Sequence, residues 1–419
     1  IQSLRGIAIC SVLFFHIRPD LFINGFLGVD VFFILSGFLI SSILSRHEKL
    51  SLGSIIQFYA RRFKRIVPLY VTVLMMSLMG TFLIFEAVDV ETNLRSFVWS
   101  MVFARNIQQI KDSRDYWQQG KAHDRSVLLH AWSLGVEIQY YLVAPFIYAL
   151  VRQVKTRTVR IVSYAGLSTV SFFFYLSADG AARFNSPLCR CWQFLLGSIA
   201  AEMAGGSYSA KNKATEKKYA LLNDTERDND KEALLEQPPD VEVVNSVMAY
   251  SKPVSQSLRT CLVVILVVYL ASPFPFGERI GAIGVSLIVA CLLASSDYEY
   301  HFMLSNRYLA YLGDISYALY LVHWPVIVFF GYKMETTHID SWGSLITVIA
   351  ITTFLTHLVH RTIEQWSLRT GYMSSAIYVG FMYTVLATLL LNSTRIEDML
   401  MSQVFDNTTQ VRIETTPGH

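Results

Sequence analysis

Apolar residues in this chain gather in long runs rather than on one face of short periodic segments. Segments 6–17, 26–44, 66–85, 128–151, 161–176 and 187–204 are apolar almost throughout, and so, after a charged stretch, are 261–271, 280–294, 309–332, 345–360 and 375–391. Runs that are apolar on every side predict helices that cross a bilayer, which takes ~20 residues. Several runs are shorter, so their helices must recruit flanking polar residues. The pattern predicts an all-α fold, a polytopic transmembrane helical bundle of about 10 core spans. An eleventh, C-terminal span is expected over 373–391, followed by a tail over 392–419.

Composition agrees. Of 419 residues, 53% are hydrophobic and 16% charged, with a mean hydropathy of +0.39; a soluble domain carries about 25% charged residues. A net charge of +3 gives no field that would attract nucleic acid, so no nucleic-acid partner is expected. The cysteines Cys10, Cys189, Cys191, Cys261 and Cys291 lie in or beside apolar runs, without a disulfide spacing, and read as buried small hydrophobes.

Segment 205–258 is different. Between Lys211 and Asp240 lie 14 charged residues, followed by Val241 and preceded by few aromatic side chains, with Pro238-Pro239 near the end. It reads as a disordered cytosolic insert. Basic residues in the loops favour the cytoplasmic side. Arg46, Lys49, Arg61, Arg62, Lys64 and Arg65 share one loop with a single acid, Glu48, and the same side receives Arg152, Lys155, Arg157, Arg160, Arg307, Arg361 and Arg369. The opposite side has one long loop, 86–129, with six basic and six acidic residues. This orientation predicts a multi-pass protein of the plasma membrane or an endomembrane, amino end cytosolic and tail extracytoplasmic. The sequons at Asn392 and Asn407 would then be usable for glycosylation, and the one at Asn223 would not.

Polar residues inside such runs are expensive and mark candidate chemistry. Arg5 and His16 are eleven residues apart, about 20° beyond three helical turns and roughly 16 Å along the axis, so they share one face. Arg61, Arg62 and Arg65 lie three and four residues apart and suit a phosphate clamp, although the cluster also suits an anchor on anionic lipid headgroups. Glu137 opens an otherwise apolar run and needs a histidine or arginine partner. Asp30, Arg190, His323 and Glu364 are further ionisable residues that together could line a polar cavity. His357, His360 and Glu364 share a helical face, but the other histidines are scattered, and no metal is assigned.

In sequence order the motifs are Leu4-Arg5-Gly6 with His16; Gly28-Val29-Asp30-Val31-Phe32-Phe33 with Leu35-Ser36-Gly37-Phe38; Arg62-x2-Arg65 before Pro68; His130-Ala131-Trp132-Ser133-Leu134 with Glu137; Ser316-Tyr317 with Tyr320-Leu321-Val322-His323-Trp324-Pro325; and Ile363-Glu364. This series resembles the acyltransferase-3 family of multi-pass O-acyltransferases, over about 1–372 apart from the insert. Gln2 stands where the family usually has an acidic residue, and Gln365-Trp366 where it has a basic residue and proline. The amino end looks cut, and the last span with its short tail resembles members that continue into an extracytoplasmic SGNH hydrolase-like domain, which this chain does not contain.

The resemblance implies transfer of an acyl group, acetyl above all, from cytosolic acyl-CoA to a hydroxyl of a glycan or lipid acceptor across the bilayer. Arg62 and Arg65, with Arg61, would hold the CoA phosphates. His16 would act as base or acyl relay with Glu137 orienting its ring, and Arg5 would steady the donor or the oxyanion. The competing reading is a non-catalytic transporter or binder of lipids or small molecules on the same scaffold.

Overall fold

The structure, a computed structural model, describes residues 1–45, 50–116, 126–204, 256–295, 304–336, 339, 341–393 and 395. Its helices are α1 (Gln2–Ile17), α2 (Gly28–Leu44), α3 (Leu52–Ile84), α4 (Ala87–Met101), α5 (Arg105–Tyr116), α6 (Ala131–Arg152), α7 (Arg157–Ser177), α8 (Gly180–Asn185) and α9 (Pro187–Ala204). They continue as α10 (Gln256–Ala271), α11 (Glu278–Ala294), α12 (Arg307–Asp314), α13 (Ser316–Lys333), α14 (Trp342–Val359), α15 (Gln365–Arg369) and α16 (Tyr372–Leu391). A π-helical turn, His360–Glu364, joins α14 to α15. No strand occurs among the described residues.

Six helical stretches are long and apolar enough to cross a membrane: Gly25–Leu44, α3, α6, α7, Trp342–Arg369 and α16; α12 with α13, bent by 68°, makes a seventh if taken as one span. The remaining expected spans fall short by this measure. Helix α1 has 16 residues, α10 16 and α11 17, and α9 carries Arg190, Gln193 and Glu202 among its 18. Most of the insert, 205–255, and of the tail, with the sequons at Asn223 and Asn407, lies outside the described residues, as do Arg46, Glu48 and Lys49.

Burial follows the logic of lipid as solvent. Gly25–Leu44 is 83% buried and forms the centre, whereas α7 and α16 are each 17% buried and turn Val162, Val170, Phe173, Ile377 and Phe381 outward. Cys261 and Cys291 are likewise exposed rather than buried, since an apolar side chain on an outer helix face loses nothing in hydrocarbon. The centre is held by close helix approach. A Cβ on Gly37 would lie 1.9 Å from the Phe194 carbonyl oxygen, and one on Gly197 2.1 Å from that of Ile34, so α2 and α9 touch through backbone. Helices α1 and α12 do the same through Gly6 and Gly313.

The long connection 86–129 carries two helices within its described residues, α4 and α5, neither of which is a candidate span. Each buries a narrow face: Val90, Asn93 and Phe97 on α4, and Arg105, Gln108 and Gln109 on α5. Asn93 Oδ1 accepts the Val127 N–H at 3.0 Å, tying α4 to the start of α6.

Candidate active site

Helix α1 is the axis of the site. Gly6 lets α1 lie against α12, which places the neighbouring Arg5 over a cavity of about 270 Å³. The cavity runs between α1, α2, α3, α6, α12 and α13. Arg5, Arg62, Arg65 and Glu137 supply its charge, and Ser36, Ser133, Tyr141, Tyr317 and Tyr320 its hydroxyls. The Arg5 guanidinium makes no ion pair or hydrogen bond among the described residues, so its donors remain for a ligand. Arg62 lies 5.8 Å above the rings of both Phe58 and Tyr141, which holds its charge at the wall.

Arg61 is not part of this wall. Along α3 the cavity is lined by Arg62, Arg65 and Ile66, an arc whose centre is about 90° round the helix from Arg61. Of the three arginines expected to share an anion, Arg62 and Arg65 line the cavity, together with Arg5 from α1.

The expected pairing of Glu137 with His16 does not form. Glu137 Oε1 accepts the hydroxyls of both Ser36 and Tyr141, and Tyr141 also approaches Ser36 Oγ at 3.4 Å. The physical reason is level. Glu137 lines the same end of the cavity as Arg5, and Arg5 is about three turns, roughly 16 Å, from His16.

His16 lies outside the cavity wall, half-buried. Its ring centroid is 4.6 Å from that of Trp324 and 5.3 Å from that of His323, both on α13. Trp324 is fixed there because its Nε1 donates to the Ser126 carbonyl at 2.9 Å, while Arg105 donates to Ser126 Oγ at 2.8 Å. Tyr320 links this cluster to the cavity. Its hydroxyl meets Ser133 Oγ at 2.6 Å and donates to the His130 carbonyl at 2.9 Å, and its ring lies 5.6 Å from His323. Just beyond His16, Arg18 forks onto the exposed Asp20 at 2.9 and 2.7 Å and holds that carboxyl below its ordinary value.

Tyr320, Ser133 and Ser36 were not singled out for chemistry from the sequence. A signal was present: Tyr317, Tyr320 and His323 recur every three residues and so share a face of α13. The other ionisable candidates go elsewhere. Asp30 accepts Arg190 Nη1 at 3.0 Å and Gln193 Nε2 at 2.8 Å, both far from the cavity wall. Glu364 takes His360 Nδ1 at 2.7 Å, and His357 meets the Tyr311 hydroxyl at 3.0 Å.

Comparison with known proteins follows the same outline. The O-acetyltransferase OatA of Staphylococcus aureus is 25% identical over 415 residues, covering 93% of this chain and 61% of that protein. The peptidoglycan O-acetyltransferase OatA of Listeria monocytogenes is 26% identical over 384 residues (89% and 56%), and the putative peptidoglycan O-acetyltransferase YrhL of Bacillus subtilis 25% over 376 (87% and 54%). The chain thus spans between 54% and 61% of the length of these relatives. No solved structure matches it. The acyltransferase domain model matches residues 1–361, which takes in Arg5, His16, the arginine clamp, Glu137 and the α13 cluster, and the chain belongs to the acyltransferase-3 family.

Proposed function

We propose that the chain is a membrane O-acetyltransferase that takes an acetyl group from cytosolic acetyl-CoA and gives it to a hydroxyl of a glycan on the opposite side of the bilayer. One observation carries this reading: Arg5 on α1 and Arg62 and Arg65 on α3 line one cavity, and His16 lies about three turns along α1 from Arg5, beyond the cavity wall. Arg62 and Arg65 suit phosphate, and Arg5 has donors to spare for the pantetheine arm. Basic residues at the α3, α6–α7 and α15 ends of the bundle support a cytosolic position for this face. The names of the relatives point to a glycan acceptor.

The transfer is written on His16. Its bare ring nitrogen takes the acceptor hydroxyl proton as that oxygen bonds to the thioester carbonyl carbon. The tetrahedral intermediate collapses with cleavage of the C–S bond. The CoA thiolate leaves and recovers the proton, so nothing is consumed but donor and acceptor.

The test is cleavage of labelled acetyl-CoA by the purified chain in liposomes. His16→Ala is expected to lose turnover and keep CoA binding, whereas Arg62→Ala with Arg65→Ala loses binding. Ligand flux that persists in His16→Ala without thioester cleavage would overturn the enzyme reading in favour of a transporter.

A further inference from the structure

The imidazoles around His16 carry an unmet hydrogen-bonding demand. His323 is fully buried, at 0% exposure, and its Nδ1 lies 3.0 Å from the Leu319 carbonyl. A carbonyl only accepts, so in the neutral ring Nδ1 carries the proton and Nε2 is a bare acceptor. That Nε2 is buried without a partner among the described residues. His130, 4% exposed, also has an unmet group: its Nδ1 is buried and unpartnered among the described residues.

The His130 and His323 ring centroids are 5.7 Å apart, and no hydrogen bond joins His130 Nδ1 to His323 Nε2. An unmade bond at a buried acceptor is costly, and a fold retains one where the group has other work. His16 is the nearer imidazole, its ring centroid 5.3 Å from that of His323. Glu137, the group expected to orient it, is spent on Ser36 and Tyr141.

We propose that His323 is the positioning residue of His16: its bare Nε2 accepts the N–H of His16, which fixes one tautomer and leaves the other His16 nitrogen bare toward the acceptor hydroxyl. The order is Leu319 carbonyl, His323, His16, substrate. Each member accepts a hydrogen bond from the next: the carbonyl from His323 Nδ1–H, His323 Nε2 from the His16 N–H, and His16 from the substrate hydroxyl. When His16 takes the hydroxyl proton, the resulting imidazolium keeps its hydrogen bond to a neutral ring rather than to a carboxylate. The role rests on His16 being the base; the hydrogen bond itself does not.

The experiment is the ¹⁵N spectrum of histidine-labelled full chain in lipid bilayers, with His16→Ala and His323→Ala spectra for assignment. His16 is expected in a single tautomer, with His323 Nε2 reporting as a hydrogen-bonded acceptor. His323→Phe should release His16 into a mixture of tautomers and lower kcat for acetyl-CoA turnover about 100-fold or more while KM stays within about twofold. His323→Gln, whose amide oxygen can accept from His16 while its NH₂ donates, should recover much of both. Unchanged CoA binding shows that the variants are folded, and the wild-type spectrum answers by itself if they are not. A His16 already present in both tautomers, or unmoved by His323→Phe, overturns the pairing. A fixed tautomer lost in His323→Phe without any loss of kcat overturns the role. A fixed tautomer in a wild-type protein that never cleaves acetyl-CoA sustains the pairing and removes the function proposed above.

Discussion

Asp30 and Arg190 meet at 3.0 Å with side chains only 4% and 1% exposed, 160 residues apart in sequence. Gln193 donates to the same Asp30 oxygen, and the Phe184 carbonyl takes Arg190 Nε at 3.0 Å. The Phe184 ring lies 4.7 Å from the guanidinium. The charges are thus desolvated but neither is short of partners. Breaking one side of such a pair strands the other and costs about 3–5 kcal/mol. Arg190→Met is therefore expected to lower the thermal midpoint of the purified protein sharply, and Asp30→Asn with Arg190→Met to recover part of that loss. Equal midpoints for wild type and Arg190→Met would show that the pair carries no such weight.

The α2–α9 crossing tests whether close backbone contact positions the cavity. A methyl group at Gly37 meets the Phe194 carbonyl at 1.9 Å, so Gly37→Ala must push α9 off α2 or fail to fold. Ser36, the neighbour of Gly37, holds Glu137, so a surviving Gly37→Ala protein should also bind CoA more weakly. Gly380→Ala on α16, with nothing within 4 Å, is the matched control and should be silent in yield, melting and binding.

Much of this arrangement was legible in the sequence, and the failures have a common cause. The runs of apolar residues located the helices, and the spacing of Arg5 and His16 placed both on the face of α1 that meets α12 and α13. Spacing along one helix says nothing about level on the next. That is why Glu137 was matched to His16 when it belongs with Arg5. Helices α4 and α5 leave no apolar run in the sequence because they bury narrow, partly polar faces whose partners are other helices rather than lipid. Asp30 and Arg190 are expected among the residues of a polar cavity, and only the packing of α2 on α9 shows them paired with each other instead.

Arg61 and Arg65 are four residues apart, yet only Arg65 reaches the cavity, so the arginines should separate in titration. Arg65→Ala and Arg62→Ala are each expected to weaken CoA binding about 10-fold, the scale of losing one charge-assisted hydrogen bond of about 1.5–3 kcal/mol. Arg61→Ala should stay within about twofold. Isothermal titration with CoA and with dephospho-CoA reads both the loss and the phosphate responsible. An Arg61→Ala loss as large as that of Arg65→Ala would restore the three-arginine clamp.

Glu137 now has a structural and a charge role that substitutions separate. Glu137→Gln keeps an oxygen for the Ser36 and Tyr141 hydroxyls while removing the negative charge beside Arg5. It should leave melting nearly unchanged and alter donor KM more than kcat. Glu137→Leu removes the acceptor as well and orphans two hydroxyls, at about 1–3 kcal/mol for each one left buried and unbonded. A pure kcat defect in Glu137→Gln would return Glu137 to His16.

Pro68 interrupts α3 directly above the arginine clamp, and the repair comes from the far end of the chain. Proline lacks the N–H that would close a helical bond to the Lys64 carbonyl, and Ser367 Oγ donates to that carbonyl at 2.8 Å. Lys64 answers by donating its ammonium to the Leu368 and Thr370 carbonyls at 3.1 and 2.5 Å, where α15 ends and its free carbonyls favour a cation. Ser367→Ala should then destabilise by about 1–3 kcal/mol, because it leaves a buried carbonyl unmade. In a Pro68→Ala background α3 supplies its own N–H, so the same substitution should cost much less. Melting of the four proteins in one detergent gives the coupling directly. A Ser367→Ala cost that is the same with and without Pro68 would mean that the serine acts on α15 alone and does not mend the break in α3.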